Sequence, residues 1–221
     1  MTIVLSWTLI AAAGDPMASR RPAHVQAIAD QTENLRPEVL ELALDAYEAA
    51  RRSGKVRRPV LTVIDYELPS YERRLWAIDM TSHRVLYEEW VAHGMGKPRG
   101  SGGTMEEART FSNTPGTLKS SLGLFVTAET YRGKHGYSLK LDGLEPGVND
   151  AARERLIVIH SADYVTRDRA AARLVGRSWG CPVIRPKVAK KLIDTIKGGS
   201  VLWIYYPERT WLEASSYLAD D

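Results

Sequence analysis

The chain has 221 residues, of which 30 are Lys or Arg and 27 are Asp or Glu, and its formal net charge is +3. Hydrophobic residues make up 44% and charged residues 26%, which excludes a wholly disordered, collagen-like or low-complexity protein. The length predicts one domain with a substantial core, plus an extension. Because the small net charge comes from both signs, nucleic acid is not expected as a partner.

The N-terminus carries an apolar run from Ile3 to Ala13. A membrane span needs about 20 apolar residues, so this run is too short to be one. It ends in three alanines, as cleavable leaders do, and 1–13 is therefore predicted to be a secretory signal peptide. No Lys or Arg precedes the run, which leaves a truncated leader or a short buried strand as alternatives. No other segment approaches span length, so no membrane span is expected in the mature chain.

Residues 14–58 are predicted to form a helical and flexible extension. Within it, 14–33 is polar and mixed and is expected to be flexible. A helix is expected from Pro37 to Arg52, because proline suits a first turn and Gly54 suits a stop. Apolar residues recur there at the helical spacing i, i+3, i+4 and i+7, at Leu40, Ala43, Leu44 and Tyr47.

The remaining residues, 59–221, are predicted to form a mostly-β domain. Short segments rich in β-branched and aromatic residues are bounded there by turn residues. They predict strands over 59–67, 74–80, 84–92, 122–129, 137–142, 156–160 and 201–206. One further helix is predicted over 186–197, because it starts with proline and stops at two glycines.

Several familiar motifs are incomplete. The Gly-rich loop 93–104 lacks the spacing of a Walker or dinucleotide-binding loop and is interpreted as a flexible lid or turn. Residues 176–180 match G-x-S-x-G, but an α/β-hydrolase needs its His after the Ser, and the last His here is His160. No two His residues have the helical spacing of a zinc site, and Cys181 is the only Cys, so no metal is expected.

Three residues, His160, Cys181 and Arg185, follow one another along the chain and together fit nucleophilic acyl transfer by a thiol. His160 follows the apolar segment 156–159, where a rigid strand can present a base to a cleft. An imidazole that takes the proton of the Cys181 thiol makes it a nucleophile for acyl transfer. The amides of Gly180 and Cys181 are expected to stabilise the oxyanion, and Arg185 to bind a substrate carboxylate. Taken singly, the three residues also fit a strand-end His, a packing Cys and a surface Arg.

These residues resemble the signature of YkuD-type L,D-transpeptidases, which is a His, a spacer of under twenty residues, and then Ser/Thr-His-Gly-Cys with a nearby Arg. The positions that match are His160, Ser161, Ser178, Gly180, Cys181 and Arg185. The stretch 111–185 is similar to the murein L,D-transpeptidase catalytic-domain branch, where SNTPG, KSSLG, GKHGYSL and GRSWGC patterns recur, and the likeness covers about 60–206. Trp179 replaces the family's second His, which affects the substrate shape expected to fit.

The resemblance implies a β-rich catalytic fold, a periplasmic or cell-envelope location and peptidoglycan stem peptides as the partner, with no cofactor. It implies that Cys181 attacks the carbonyl on the L-centre of the third stem residue and releases D-Ala. An amine of another stem then takes the acyl group and forms a 3→3 cross-link. His160 acts as base and then acid, held by the Ser161 carbonyl.

Further residues are expected around the nucleophile. Arg177, Ser178 and Trp179 flank it and are expected to shape its substrate pocket. His135 and Tyr137 are candidates to line the acyl site, with a hairpin turn as an equal alternative. For His93, which opens the Gly-rich loop, both a place in the cleft and a structural role stay open.

Two other functions stay open as well. Water competes with an amine at such a site, so the enzyme would then be an L,D-carboxypeptidase or another hydrolase of murein stem peptides. A non-catalytic wall-binding module is the second alternative, and the intact His160 and Cys181 argue against it. Sortases share the order His, Cys, Arg, but the TLxTC context of their nucleophile is absent here.

Overall fold

A computed structural model of the protein describes residues 22–218. The fold is mostly β, as predicted, and one nine-stranded sheet forms its centre. The predicted signal peptide at 1–13 lies outside the described residues. Within the described range, no helix is long and apolar enough to cross a membrane.

The nine strands are numbered here in chain order. They are β1 (Val60–Asp65), β2 (Leu75–Asp79), β3 (Arg84–Glu89), β4 (Val91–Ala92), β5 (Gly123–Gly133), β6 (Gly136–Gly143), β7 (Val158–Ser161), β8 (Val183–Ile184) and β9 (Val201–Tyr205). Their order across the sheet is β3-β2-β1-β9-β5-β6-β7-β8-β4. Strands β1 and β9 are parallel, as are β7 and β8, and every other pair is antiparallel.

Five helices are present between residues 22 and 218. They are α1 (Ala23–Ala29), α2 (Pro37–Arg52), α3 (Arg167–Ala171), α4 (Pro186–Ile196) and α5 (Arg209–Ala214). Helices α2 and α4 confirm the N-terminal helix and the helix that follows Cys181. The expectation of a flexible 14–33 is wrong for α1, because Val25 and Ile28 on that helix are buried in the core. Helices α1, α3 and α5 are only five to seven residues long, too short to show the periodicity of a helix.

Helix α2 packs on the sheet rather than standing apart from it. Its apolar face is buried in the same hydrophobic core as β1 and β9. Just before the helix, the Arg36 guanidinium donates to the buried carboxylate of Asp65 at the end of β1, with Nη2 2.7 Å from Oδ2. Residues on both sides of the predicted boundary at residue 58 therefore share one core.

Two predicted strands have different limits in the structure. The segment 84–92 is two strands, β3 and β4, separated at Trp90. The segment 156–160 starts too early, because β7 begins at Val158. Leu156 lies in a turn with a positive φ of 56°, and it is 73% exposed. Its apolar side chain suggested a buried strand, but the turn directs it to solvent.

The pairing of β7 with β8 positions the site. These strands are parallel, with His160 opposite Val183 and Ser161 opposite Ile184. Cys181 lies two residues before Val183, so the chain enters β8 from a loop that passes beside β7. The sequence separation of about twenty residues between His160 and Cys181 is thus closed by one short parallel ladder of two residue pairs.

A stability measurement can test whether the extension is part of the domain. Leu40 on α2 is fully buried in the core. Leu40→Ala should lower the free energy of unfolding by about 2–5 kcal/mol, because it leaves a cavity. Urea denaturation followed by circular dichroism and by Trp fluorescence should give one coincident transition. The exposed substitution Lys191→Ala on α4 is the control and should change stability by less than about 0.5 kcal/mol. Two separate transitions, with only one shifted by Leu40→Ala, would show an independent N-terminal unit.

Candidate active site

Eight side chains line a cavity of about 200 Å³ at the β7–β8 end of the sheet, and they are Lys134, His135, His160, Tyr164, Arg177, Ser178, Trp179 and Cys181. Six of them are residues that the sequence analysis singled out, and the structure brings these six together. Two larger cavities of about 450 Å³ lie elsewhere, and neither is lined by the Cys. The small cavity is therefore the candidate active site.

Cys181 is a half-buried thiol at the edge of this cavity. Its Sγ lies 3.5 Å from the backbone oxygen of Leu156, to which the thiol donates. Burial raises the pKa of the Cys181 thiol, while the Val158 amide and the positive charges of Arg155 and Lys134 act in the opposite direction. Because the pKa is raised overall, Cys181 rests as a neutral thiol at neutral pH.

His160 is a neutral imidazole in the lining of the cavity. Its Nδ1 lies 3.0 Å from the backbone oxygen of Ser161, and because a carbonyl can only accept, Nδ1 carries the proton. The neutral ring then has its lone pair on Nε2. Burial lowers the pKa of His160, and the charges of His135 and Lys134 also lower it. The His135 ring stacks on the imidazole, with 4.4 Å between the ring centroids.

The nucleophile loop, residues 176–182, is named here for the predicted nucleophile Cys181, and hydroxyl groups hold it in place. Ser120 Oγ accepts from the Gly94 amide and donates to the Gly180 oxygen, each at 3.0 Å. Gly180 has a φ of +116°, a conformation that favours glycine. Ser178 Oγ donates to the Cys181 oxygen at 2.7 Å and accepts from the Gly180 amide at 3.1 Å. The Gly180 amide, expected to stabilise an oxyanion, therefore has an internal acceptor.

Arg185 has a different partner from the one expected. Its Nε and Nη2 each lie 2.6 Å from an oxygen of Glu89, a bidentate pair. Glu89 is only 4% exposed, and a buried carboxylate needs a cation beside it. Arg185 is not among the residues that line the cavity. Its guanidinium therefore neutralises a buried carboxylate of the protein itself.

Tyr137 also lies away from the cavity. Its hydroxyl donates to Asp194 Oδ1 at 2.7 Å, and Lys197 Nζ lies 3.4 Å from the same hydroxyl. The hairpin turn that carries His135 into the cavity thus directs Tyr137 towards α4.

His93 is a structural residue. It is fully buried, its Nδ1 accepts from Arg74 Nη2 at 3.0 Å, and its Nε2 donates to the Thr104 oxygen at 3.1 Å. Burial lowers the pKa of His93 to about 3, and the Arg74 charge adds to that effect. The backbone oxygen of His93 accepts from the Ser178 amide at 2.8 Å, so this residue holds the nucleophile loop through its main chain.

Three residues of the site were missed by sequence reasoning, namely Lys134, Tyr164 and Arg155. Lys134 and Tyr164 line the cavity. Arg155 is not part of the lining, and its Nη2 donates to the Lys119 oxygen at 2.7 Å while its Nη1 contacts the Ser112 oxygen and Ser121 Oγ. All three acceptors are neutral, so the charge of Arg155 is left to act on Cys181. Nothing in the sequence separates Arg155 from the other charged residues around it.

The role of Arg155 can be tested by titration of the thiol. Because Cys181 is the only Cys, iodoacetamide alkylation reports on it alone. Arg155→Gln removes a positive charge that lowers the pKa of Cys181, so the pH midpoint of the alkylation rate should move upward. Arg155→Lys keeps the charge and should stay closer to the wild-type midpoint. An unchanged midpoint in Arg155→Gln would show that Arg155 acts only through packing.

Solved structures that are similar to this chain include several L,D-transpeptidases. An L,D-transpeptidase from Mycobacterium smegmatis is 14% identical and covers 67% of this chain and 59% of its own, with a TM-score of 0.39. An Enterococcus faecium L,D-transpeptidase is 16% identical and covers 67% of this chain and 50% of its own, with a TM-score of 0.37. The helical cell shape determining protein Pgp2 from Campylobacter jejuni is 11% identical and covers 76% of this chain and 57% of its own, with a TM-score of 0.43. The chain thus spans between half and three fifths of these proteins.

No curated protein sequence matches this chain. The sequence profile of the L,D-transpeptidase catalytic domain does match it, over residues 31–205. This match includes the candidate active site and most of the chain, together with α2. The chain therefore belongs to the L,D-transpeptidase catalytic domain family.

Proposed function

We propose that the protein is a cysteine acyltransferase that cross-links peptidoglycan stem peptides through an acyl-enzyme on Cys181. One observation carries the proposal. The thiol and a neutral imidazole line the same cavity, and the tautomer of His160 is set by the Ser161 oxygen. A thiol with a base that is itself oriented by a third group is the arrangement that nucleophilic acyl transfer needs.

The first half-reaction forms the thioester. The Cys181 thiol turns from the Leu156 oxygen towards His160, whose Nε2 takes the proton. The sulfur attacks the carbonyl carbon of the third stem residue, and the tetrahedral intermediate places negative charge on oxygen. The Cys181 amide is the donor that we assign to this oxyanion, because Gly180 N–H already donates to Ser178 Oγ. The C–N bond then breaks, and the leaving D-Ala amine takes the proton from His160.

The second half-reaction releases the enzyme. His160 takes a proton from the attacking amine of another stem, an amide bond forms, and the C–S bond breaks. The proton returns to Cys181, so the cycle needs no oxidant, reductant or cofactor. Peptidoglycan lies outside the cytoplasmic membrane, and we accordingly propose an exported protein of the cell envelope.

Substitutions of the two reacting side chains test this mechanism. Cys181→Ala should reduce D-Ala release from purified tetrapeptide muropeptides to background. His160→Ala should reduce it almost as far, by about 10³-fold or more, because members of one catalytic unit act non-additively. Mass spectrometry of the wild-type reaction should show a thioester on the peptide that contains Cys181.

The products distinguish the remaining alternatives. Muropeptide dimers indicate transfer, whereas tripeptides alone indicate an L,D-carboxypeptidase. Release of D-Ala by Cys181→Ala at the wild-type rate would remove the thiol mechanism. The substitution Lys191→Ala, at an exposed residue of α4 outside the cavity, is the control for protein preparation and should keep full activity.

The pH dependence of the reaction provides a second test. His160 must be neutral to take a proton, so kcat/KM should fall as pH drops through the pKa of His160. Burial lowers this pKa and the His135 charge lowers it further, which places the acid limb below the ordinary value of 6.5. His135→Phe keeps a stacked ring but removes the charge, so the acid limb should move to higher pH. His24→Phe, at an exposed His outside the cavity, should leave the limb in place. A limb that does not move in His135→Phe would contradict this coupling.

A further inference from the structure

The candidate active site has an unbalanced charge. Its lining contains two cations, Lys134 and Arg177, and no carboxylate. The remaining walls are largely aromatic, from His135, Tyr164 and Trp179. Arg185, the residue first expected to bind a substrate carboxylate, is occupied by Glu89. A cavity of this kind favours an anionic ligand group.

Arg177 is held in place with donors to spare. One nitrogen, Nη1, donates to the Gly103 oxygen at 2.5 Å, which anchors the guanidinium to the Gly-rich loop. No carboxylate between residues 22 and 218 pairs with it. A guanidinium has five N–H donors, so other N–H groups of Arg177 remain available to a ligand.

Lys134 lines the same cavity from a different segment of the chain. It lies in the tight turn between β5 and β6, and its Nζ is 5.4 Å from the centre of the Trp179 ring. Trp179 is 65% exposed, an unusual state for so large an aromatic residue, and its ring holds the ammonium by a cation–π contact. The described residues offer Lys134 no acidic partner. The residue that departs from the family pattern thus positions a free cation beside the nucleophile.

We propose that Arg177 and Lys134 together bind the free α-carboxylate of the substrate residue that leaves when Cys181 is acylated. This inference rests on the proposed function, because it takes the scissile carbonyl to lie at Cys181. The α-carboxylate is attached to the carbon next to the scissile nitrogen, so it must enter the same small cavity. The ligand class is therefore a peptide whose last residue has a free carboxylate. A peptide with an amidated last residue lacks the charge and is selected against.

Binding to an inert protein tests this without turnover. The Cys181→Ala protein is titrated by calorimetry with a stem tetrapeptide ending in D-Ala and with the same peptide ending in D-alaninamide. The acid should bind about 10-fold more tightly than the amide, as charge-assisted hydrogen bonds imply. Adding Arg177→Gln should remove most of this ratio, and adding Lys134→Gln should reduce it by a smaller factor, because the ammonium is more exposed.

Control variants separate loss of charge from loss of structure. Arg177→Lys keeps a positive charge and should retain part of the preference for the acid. The exposed Lys187→Gln on α4 lies outside the cavity and should leave both affinities unchanged. Melting temperatures of all variants identify any that fail to fold, and for those the Lys134→Gln result decides.

The outcomes distinguish this proposal from the proposed function. Equal affinities for acid and amide in the Cys181→Ala protein, or no binding of either, would overturn the carboxylate site. A ratio that Arg177→Gln and Lys134→Gln both leave intact would overturn the assignment to these residues. Turnover by the wild-type protein is measured separately. Selective binding of the acid without D-Ala release would support the carboxylate site and contradict the proposed transpeptidase function. D-Ala release without selective binding of the acid would support the proposed function and contradict the carboxylate site.

Discussion

The parallel pairing of β7 with β8 is the constraint on which the site depends. Only two residues of β8 take part, but they lie directly after the nucleophile loop and opposite His160 and Ser161. The same short ladder places the Ser161 oxygen where it orients the imidazole. Since parallel strands need a crossover, the chain between them is free to form α3 and the loop that carries Arg177 and Trp179. This one short ladder thus sets the position of the imidazole, its tautomer and the place of the thiol beside it.

The nucleophile loop is held by neutral partners, so the nearby positive charges are not neutralised by the contacts that hold it. Ser120, Ser178 and the backbone of His93 fix the loop with hydroxyl and peptide groups alone. Buried cations nearby also have neutral partners, because Arg74 donates to the oxygens of Leu68 and Val91 and to His93. A carboxylate in this framework would cancel the positive potential of the cavity. Glu89, a buried acid on β3, is neutralised by Arg185 and does not line the cavity.

Most of the fold and the central residues of the site follow from local sequence signals. The strands alternate or run apolar, α2 and α4 have proline starts, and His160 and Cys181 stand out by position and chemistry. The features that could not be predicted from the sequence depend on contacts between distant parts of the chain. Arg185 meets Glu89 across 96 residues of chain, and no local pattern indicates that pairing. Likewise, the Gly180 amide is taken by Ser178 only because this particular loop turns back on itself. Helix α1 looked polar, and only its packing in the core reveals its buried face.

The electrostatics of the resting site indicate which groups must act together. Burial raises the pKa of Cys181 and lowers the pKa of His160, so a thiolate–imidazolium pair is disfavoured before substrate arrives. The proposed proton transfer from Cys181 to His160 therefore requires further stabilisation of the thiolate. The charges of Arg155 and Lys134 both favour the thiolate of Cys181. If a substrate carboxylate binds Lys134, it weakens that cation's effect on both groups and raises the pKa of His160, which makes the imidazole a stronger base when the reacting carbonyl is in place. Arg155, which does not line the cavity and has only neutral hydrogen-bond partners, then remains to stabilise the sulfur.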